Sequence, residues 1–271
     1  MFKIDDIVAC MREMAPEDIA EPWDNCGLLV DSGIKVTNCV IVCLDVTGAV
    51  VEEAVKSQAH LIICHHPLIF SPIKRIDSES RQGALLRAVI RNDIAVYAAH
   101  TNVDKTYGGL NDLLAGIIGL DTEPYGFETK NIDEPFGQSG YYRVGELPQG
   151  YSVDEFNCYI SSRLRLNELI VSSHAQPLDK RIKKVLVMSG SYSLDARQAA
   201  ATGADALVCG EIRHHEALEL TAMGIHIVQA GHHGSERFFI SLVQKWINDK
   251  YPALTIMGVG FSDLPTEVYR A

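Results

Sequence analysis

The chain has 271 residues, of which 47% are hydrophobic and 22% charged, and its formal net charge is −11. That length can bury a sizeable core as one large domain or two modest ones. The acidic balance argues against broad binding to nucleic acid, and no apolar run reaches the roughly 18 residues needed to span a bilayer. The seven cysteines are odd in number and show no CxxC spacing, which reads as buried thiols in a reducing compartment. The opening MFKIDDIVAC carries acidic residues early and lacks the pattern of a signal peptide. The expected location is cytoplasmic.

In chain order, Ile4, Ile7, Val8, Met11 and Met14 recur at helical spacing. Pro16-Glu17-Asp18 resembles a helix start. Trp23-Asp24-Asn25-Cys26-Gly27-Leu28 is a polar-aromatic turn. It suits either a buried tryptophan beside an Asx turn or a pocket wall, with Asp24 or Asn25 supporting a site. Val40–Leu44 reads as a strand, and Thr47 caps a helix running to about Lys56. Leu61–Cys64 is a second strand, delivering His65 and His66. A helix over Arg81–Arg91 and a strand over Ile94–Ala99 follow, and that strand delivers His100-Thr101-Asn102-Val103-Asp104. Leu110–Ile118 is a further helix. Strands alternating with helices predict a mainly parallel sheet, whose ligands lie beyond the carboxyl ends of the strands.

Residues 121–180 change character, and Pro, Gly and Tyr become common. Tyr141–Val144 reads as a strand, Val153–Leu164 as a helix, Leu169–Ser172 as a strand, and the polar span 174–184 as a linker. The expected organisation is a first α/β half over 1–124, a small inserted α+β domain over 125–182, and a second α/β half over 183–271. The α/β pattern returns at Val185–Met188. Ser189-Gly190-Ser191 behind it could cradle an anion at a helix start or form a tight turn with an N-cap. His60–Cys64 lines up with Asp205–Cys209 without gaps. His100…Asp104 and His232…Glu236 share the pattern His-x-x-x-carboxylate. The halves read as a duplicated unit, whose histidine clusters would face one cleft. A helix over Phe238–Ile247 and a strand over Thr255–Val259 close the pattern.

Histidine and carboxylate donors suit zinc, iron, manganese and similar ions. The sequence offers His65, His66, His100, Asp104, His232 and Glu236, more than the three or four ligands of a single-metal site. Two carboxylates among six donors fit a pair of metals. His214-His215, near Glu211, opens a predicted helix over Glu211–Glu216, and His214 is a supporting or substrate-facing group or a further ligand. The chain has no phosphate-binding glycine loop of the common nucleotide folds and no serine nucleophile elbow.

Trp23-Asp24-Asn25-x-Gly27-Leu28, His65-His66-Pro67-x-x-Phe70, His100-Thr101-Asn102-x-Asp104, Gly210-Glu211-x-x-His214 and Gly231-His232-x-x-x-Glu236 occur in one order. Together they resemble the GTP cyclohydrolase I type 2 homologues, also described as Nif-three-like dinuclear metal-centre hexameric proteins. The resemblance runs from residue 1 to about 260. It implies an α/β protein of two pseudo-symmetric halves forming one metal-binding unit, and a toroidal homohexamer. It also implies two divalent metals per subunit, held by His65, His66, Asp104, His232 and Glu236. His100 would lie beside them as a ligand or supporting group, and Trp23, Asp24, Asn25, Asn102 and Glu211 would line or support the pocket. The expected activity is metal-dependent hydrolysis of a nucleotide or phosphoester-like small molecule, with His100 or His214 moving protons. The alternative is a non-catalytic, metal-dependent adaptor or regulatory ring.

Overall fold

Apolar residues spaced three and four apart put one stripe of a helix against a core, and α1 (Ile4–Met14) buries Ile4, Ile7, Val8 and Met11 in this way. The structure is a computed structural model, and it describes residues 1–121, 140–173 and 181–260. Before α1 comes a two-residue strand, β1 (Phe2–Lys3). After it come a 3-10 turn at Glu17–Ile19, β2 (Gly27–Val30) and β3 (Val36–Thr37). β1 and β3 pair as an antiparallel ladder. Then β4 (Cys39–Cys43), α2 (Gly48–Lys56), β5 (Leu61–Cys64), α3 (Arg81–Arg91) and β6 (Ala95–Ala98) alternate. The Thr47 hydroxyl accepts from Val50 N at 3.2 Å and Ser80 from Gly83 N at 3.0 Å. Each cap satisfies an amide left open at a helix start. Every residue of β4, β5 and β6 is buried, as parallel strands covered on both faces must be.

The chain continues through a one-turn helix, α4 (Thr101–Lys105), α5 (Leu110–Ile118), β7 (Arg143–Tyr151), α6 (Val153–Leu164) and β8 (Ile170–Ser172). Next come β9 (Ile182–Ser191), α7 (Ala196–Ala201), β10 (Ala206–Glu211), α8 (His214–Ala222), β11 (His226–Gln229) and α9 (His232–Glu236), then α10 (Phe238–Lys250) and β12 (Thr255–Val259). α6 begins with a capping box between Ser152 and Glu155.

Two compact units result. The first holds residues 1–103 and 239–260, the second the described residues of 104–238. The first unit's sheet has the order β12-β4-β5-β6-β2, with β2 antiparallel and the rest parallel. The second unit's sheet has the order β7-β9-β10-β11-β8, three central parallel strands with an antiparallel strand at each edge. Both units therefore repeat one plan: three parallel strands joined by helices, with an antiparallel strand beyond the third. Ile41, Ile62 and Val96 sit in the core of the first, and Val187, Val208 and Val228 in that of the second. Burying each such side chain stabilises the fold by about 1.5–3 kcal/mol.

β7, α6 and β8 come from the stretch set apart in the sequence as 125–182, and both strands lie in the second sheet. Residues 125–139 and 174–180 of that stretch lie outside the described residues. The expected linker over 174–184 ends as β9, which starts at Ile182. Glu211 closes β10 and does not open a helix; α8 starts at His214, with Arg213 at its N-cap.

Candidate metal centre

In the first unit the carboxyl ends of β5 and β6 release His65, His66 and His100. Their ligand nitrogens all lie within 4.8 Å of one another. Each imidazole is held at Nδ1 by an oxygen: His65 by Ala99 O at 2.9 Å, His66 by Asp45 Oδ1 at 2.9 Å, His100 by Asp24 Oδ1 at 2.9 Å. A proton on Nδ1 selects the tautomer whose Nε2 carries the lone pair, the form in which an imidazole ligates a metal. His65 is fully buried, its ring packed 4.8 Å from that of Phe239, which fixes its orientation.

The turn Trp23-Asp24-Asn25 builds the wall of this cluster. Asp24 Oδ2 accepts from Thr101 N at 3.1 Å and from the Thr101 hydroxyl. Burial pulls the Asp24 carboxyl upward, but the hydrogen bonds from His100 and Thr101 outweigh it and hold the group well below the usual carboxylate range. Asp24 is therefore ionised and favours an Nδ1-protonated His100. Asn25 Nδ2 donates to Ile69 O at 2.5 Å, tying the turn to the segment after the histidine doublet. Cys26 donates from Sγ to Asp24 Oδ2 at 3.1 Å, with Asn102 Oδ1 3.2 Å from the same sulfur, and burial pushes its thiol up to about 12.

The second unit gathers carboxylates. His232 and Glu236 stand one turn apart on α9, so they share a face; His232 Nε2 lies 3.2 Å from Glu236 Oε2. His232 Nδ1 is 3.2 Å from Glu211 Oε1, the same Nδ1-to-oxygen pattern as the other three histidines. The Ser191 hydroxyl, with His232 acting against burial, holds the Glu211 carboxyl below its ordinary value. Asp104 is buried on α4 and accepts from Ser189 Oγ at 3.2 Å. Glu236 packs against the next residue, Gly190, where a Cβ would overlap Glu236 Oε1. Gly190 has φ +63°, so both its backbone and its missing side chain are needed there. The carboxyl end of β9 thus meets both buried carboxylates.

Most of the predicted site residues fall into these two groups. Trp23 flanks His100, their ring centroids 6.3 Å apart. Asn102 is fully buried and faces inward, donating to Ala15 O at 2.8 Å, so it seats α4 on the end of α1. His214 is exposed on the first turn of α8. Ser189-Gly190-Ser191 forms a wall: Ser189 serves Asp104, Gly190 admits Glu236 and Ser191 holds Glu211. Sequence reasoning missed Asp45 as the holder of His66, although it stands in the same place beyond β4 as His66 does beyond β5. It also missed Asn111. This fully buried side chain donates to Asp104 O at 3.1 Å and Tyr141 O at 2.8 Å and accepts from Ser189 N at 2.7 Å. Only its polarity on an otherwise apolar helix face could have signalled it.

Comparison with known proteins assigns the chain to a family. The family model described as Duf34/NIF3 (NGG1p interacting factor 3) matches residues 2–266. A GTP cyclohydrolase 1 type 2 homolog of Nostoc sp. is 37% identical over 238 residues, covering 87% of this chain and 88% of that one. One from Clostridium perfringens is 33% identical over 235 residues, covering 87% of each. A crystal structure of a Bacillus cereus protein related to NIF3 superposes with a TM-score of 0.83, covering 99% of each chain at 24% identity. The chain belongs to the Duf34/NIF3 family.

Proposed function

We propose that this protein is a metal-dependent hydrolase of a small molecule, nucleotide or phosphoester-like, holding two divalent ions through His65, His66, Asp104, His232 and Glu236, with His100 beside them. One observation carries the reading: His65, His66, His100 and His232 each have Nδ1 fixed by an oxygen, an arrangement that prepares Nε2 for a metal. Imidazole nitrogens with carboxylate oxygens suit zinc, iron or manganese, so the residues fit the group. When bound, the ions supply Lewis acidity and a source of nucleophilic water at neutral pH. The chain's own part is to orient the ligands, through Asp24, Asp45 and Glu211, and to move protons. The closeness of His100 to His65 and His66 supports that role for it. His214, exposed on α8, is a second candidate, with its imidazole open to a substrate's leaving group.

The names of the relatives support a cyclohydrolase-like reaction. Seven free thiols, five of them buried, support a cytoplasmic setting, and among the described residues no helix is long and apolar enough to cross a membrane. The assembly proposed by resemblance is a toroidal homohexamer. The family description names an interaction partner, which favours an adaptor ring as the second reading.

The test is metal analysis of the purified protein, followed by a screen of nucleotides and phosphoesters. Asp104→Ala is expected to lose metal and all hydrolysis. His214→Ala should keep the metal and lower turnover. Two ions retained by Asp104→Ala would refute the ligand assignment. Wild-type protein that is fully loaded, turns nothing over and changes its partner capture on chelation would favour the adaptor reading.

A further inference from the structure

Trp23 and Phe70 are large apolar side chains that the fold leaves open, 57% and 50% exposed. Such exposure is unremarkable for a scattered residue but not for a pair. Their ring centroids lie 6.0 Å apart with an interplanar angle of 51°, so they form an open V. Both stand edge-on to the His100 ring, at 6.3 and 6.4 Å. Phe70 also lines a recess of about 410 Å³ whose wall includes His66 and Arg81, a volume within the range of small-molecule sites.

The pair is held in place by the turn that also holds His100. Trp23, Asp24 and Asn25 are consecutive. Asp24 anchors His100 and Asn25 anchors the backbone at Ile69, one residue before Phe70. One three-residue turn therefore sets the two aromatic faces and His100 together. Gln82 Nε2 donates to Leu68 O at 3.0 Å and ties the same segment to α3.

We propose that Trp23 and Phe70 form a stacking platform that receives a planar heteroaromatic ring of the substrate, directly beside His66 and His100. The proposal rests on the metal-dependent reading of this site and narrows its substrate class to molecules carrying a nucleobase-like ring. Aromatic faces take such rings through stacking, which tolerates different ring substituents. Ring size sets the strength, so a purine binds more tightly than a pyrimidine.

The test uses the full chain loaded with metal, titrated by calorimetry with adenosine, uridine and ribose. Adenosine is expected to bind saturably and to quench the exposed tryptophan; uridine binds more weakly, and ribose gives no heat. Trp23→Ala and Phe70→Ala should each weaken adenosine about tenfold or more, with metal content unchanged. The proposal is overturned if loaded protein binds adenosine no better than ribose, or if both substitutions leave the affinity intact. It is also overturned if the substitutions alter only the mass of the assembly, which would give the pair to contact with a second copy. Metal content is measured in the same samples. Protein that takes up no metal refutes the underlying reading, whereas loaded protein that ignores adenosine refutes the platform alone.

Discussion

Asp24 accepts from His100 Nδ1, Thr101 N, Thr101 Oγ1 and Cys26 Sγ. An ionised carboxylate behind an imidazole fixes its ring and raises its basicity, and losing such a partner typically costs 10- to 100-fold in metal affinity. Asp24→Asn keeps the shape but removes the charge. The variant is expected to fold, by circular dichroism, and to bind metal about tenfold more weakly in a chelator competition. Unchanged affinity would show that His100 is held by packing alone. A different residue contributes to stability against mild acid. His226 is buried, its Nε2 2.8 Å from Asn157 Oδ1 and its ring 6.1 Å from that of Phe156. Burial lowers its pKa below the ordinary value. The unfolded chain therefore takes up this proton at a higher pH than the folded one. The contribution is fully present above the unfolded pKa of about 6.5 and is lost as pH falls from there through the folded value. Urea midpoints of wild type and His226→Asn, compared between about pH 7.5 and pH 5, should fall more steeply for the wild type. Parallel slopes would refute the assignment.

At the scale of elements, the end of α4 and the start of α5 are locked to β7 by a buried arginine. Arg143 makes a bidentate pair with Asp112, at 2.5 and 2.7 Å, and also donates to Gly140 O, Tyr142 O and Thr106 O. The planar guanidinium suits this fork, which lysine could not reproduce. Asn111, adjacent to Asp112, meets Asp104 and Ser189, so the same lock presents a proposed ligand. Arg143→Ala leaves several carbonyls and a carboxylate without their donor. It should destabilise the protein by about 3 kcal/mol, the low end for a broken buried pair because Asp112 keeps some contact with solvent. It should also loosen metal held through Asp104. Thermal melting together with metal analysis checks both. A variant with wild-type melting would mean that the arginine is a passenger in the second core.

Over the whole molecule, what could be read from the sequence was what repeats locally. Val40–Leu44 and Val185–Met188 announced strands because parallel strands buried on both faces are continuous apolar runs. The doublet His65-His66 and the two His-x-x-x-carboxylate stretches stood out because such residues end strands only with a purpose. What stayed hidden was distant partnership. Ser189 meets Asn111 across 78 residues and Asp104 across 85, and β7 and β8 join the edges of a sheet whose centre follows later in the chain. Periodicity reports that a residue is buried, not against what. Metal removal tests the largest consequence. Buried carboxylates such as Asp104 and Glu236 are costly unless compensated, and a net charge of −11 adds self-repulsion. Divalent ions would relieve both, and an ion that binds only the folded state stabilises it by about 4 kcal/mol at a thousandfold excess over its dissociation constant. Melting temperature should therefore rise with the logarithm of free zinc or manganese and fall on chelation. Asp104→Ala should melt at one temperature whatever the metal concentration. If chelation leaves the wild-type melting curve in place, the histidines and carboxylates hold one another and not an ion.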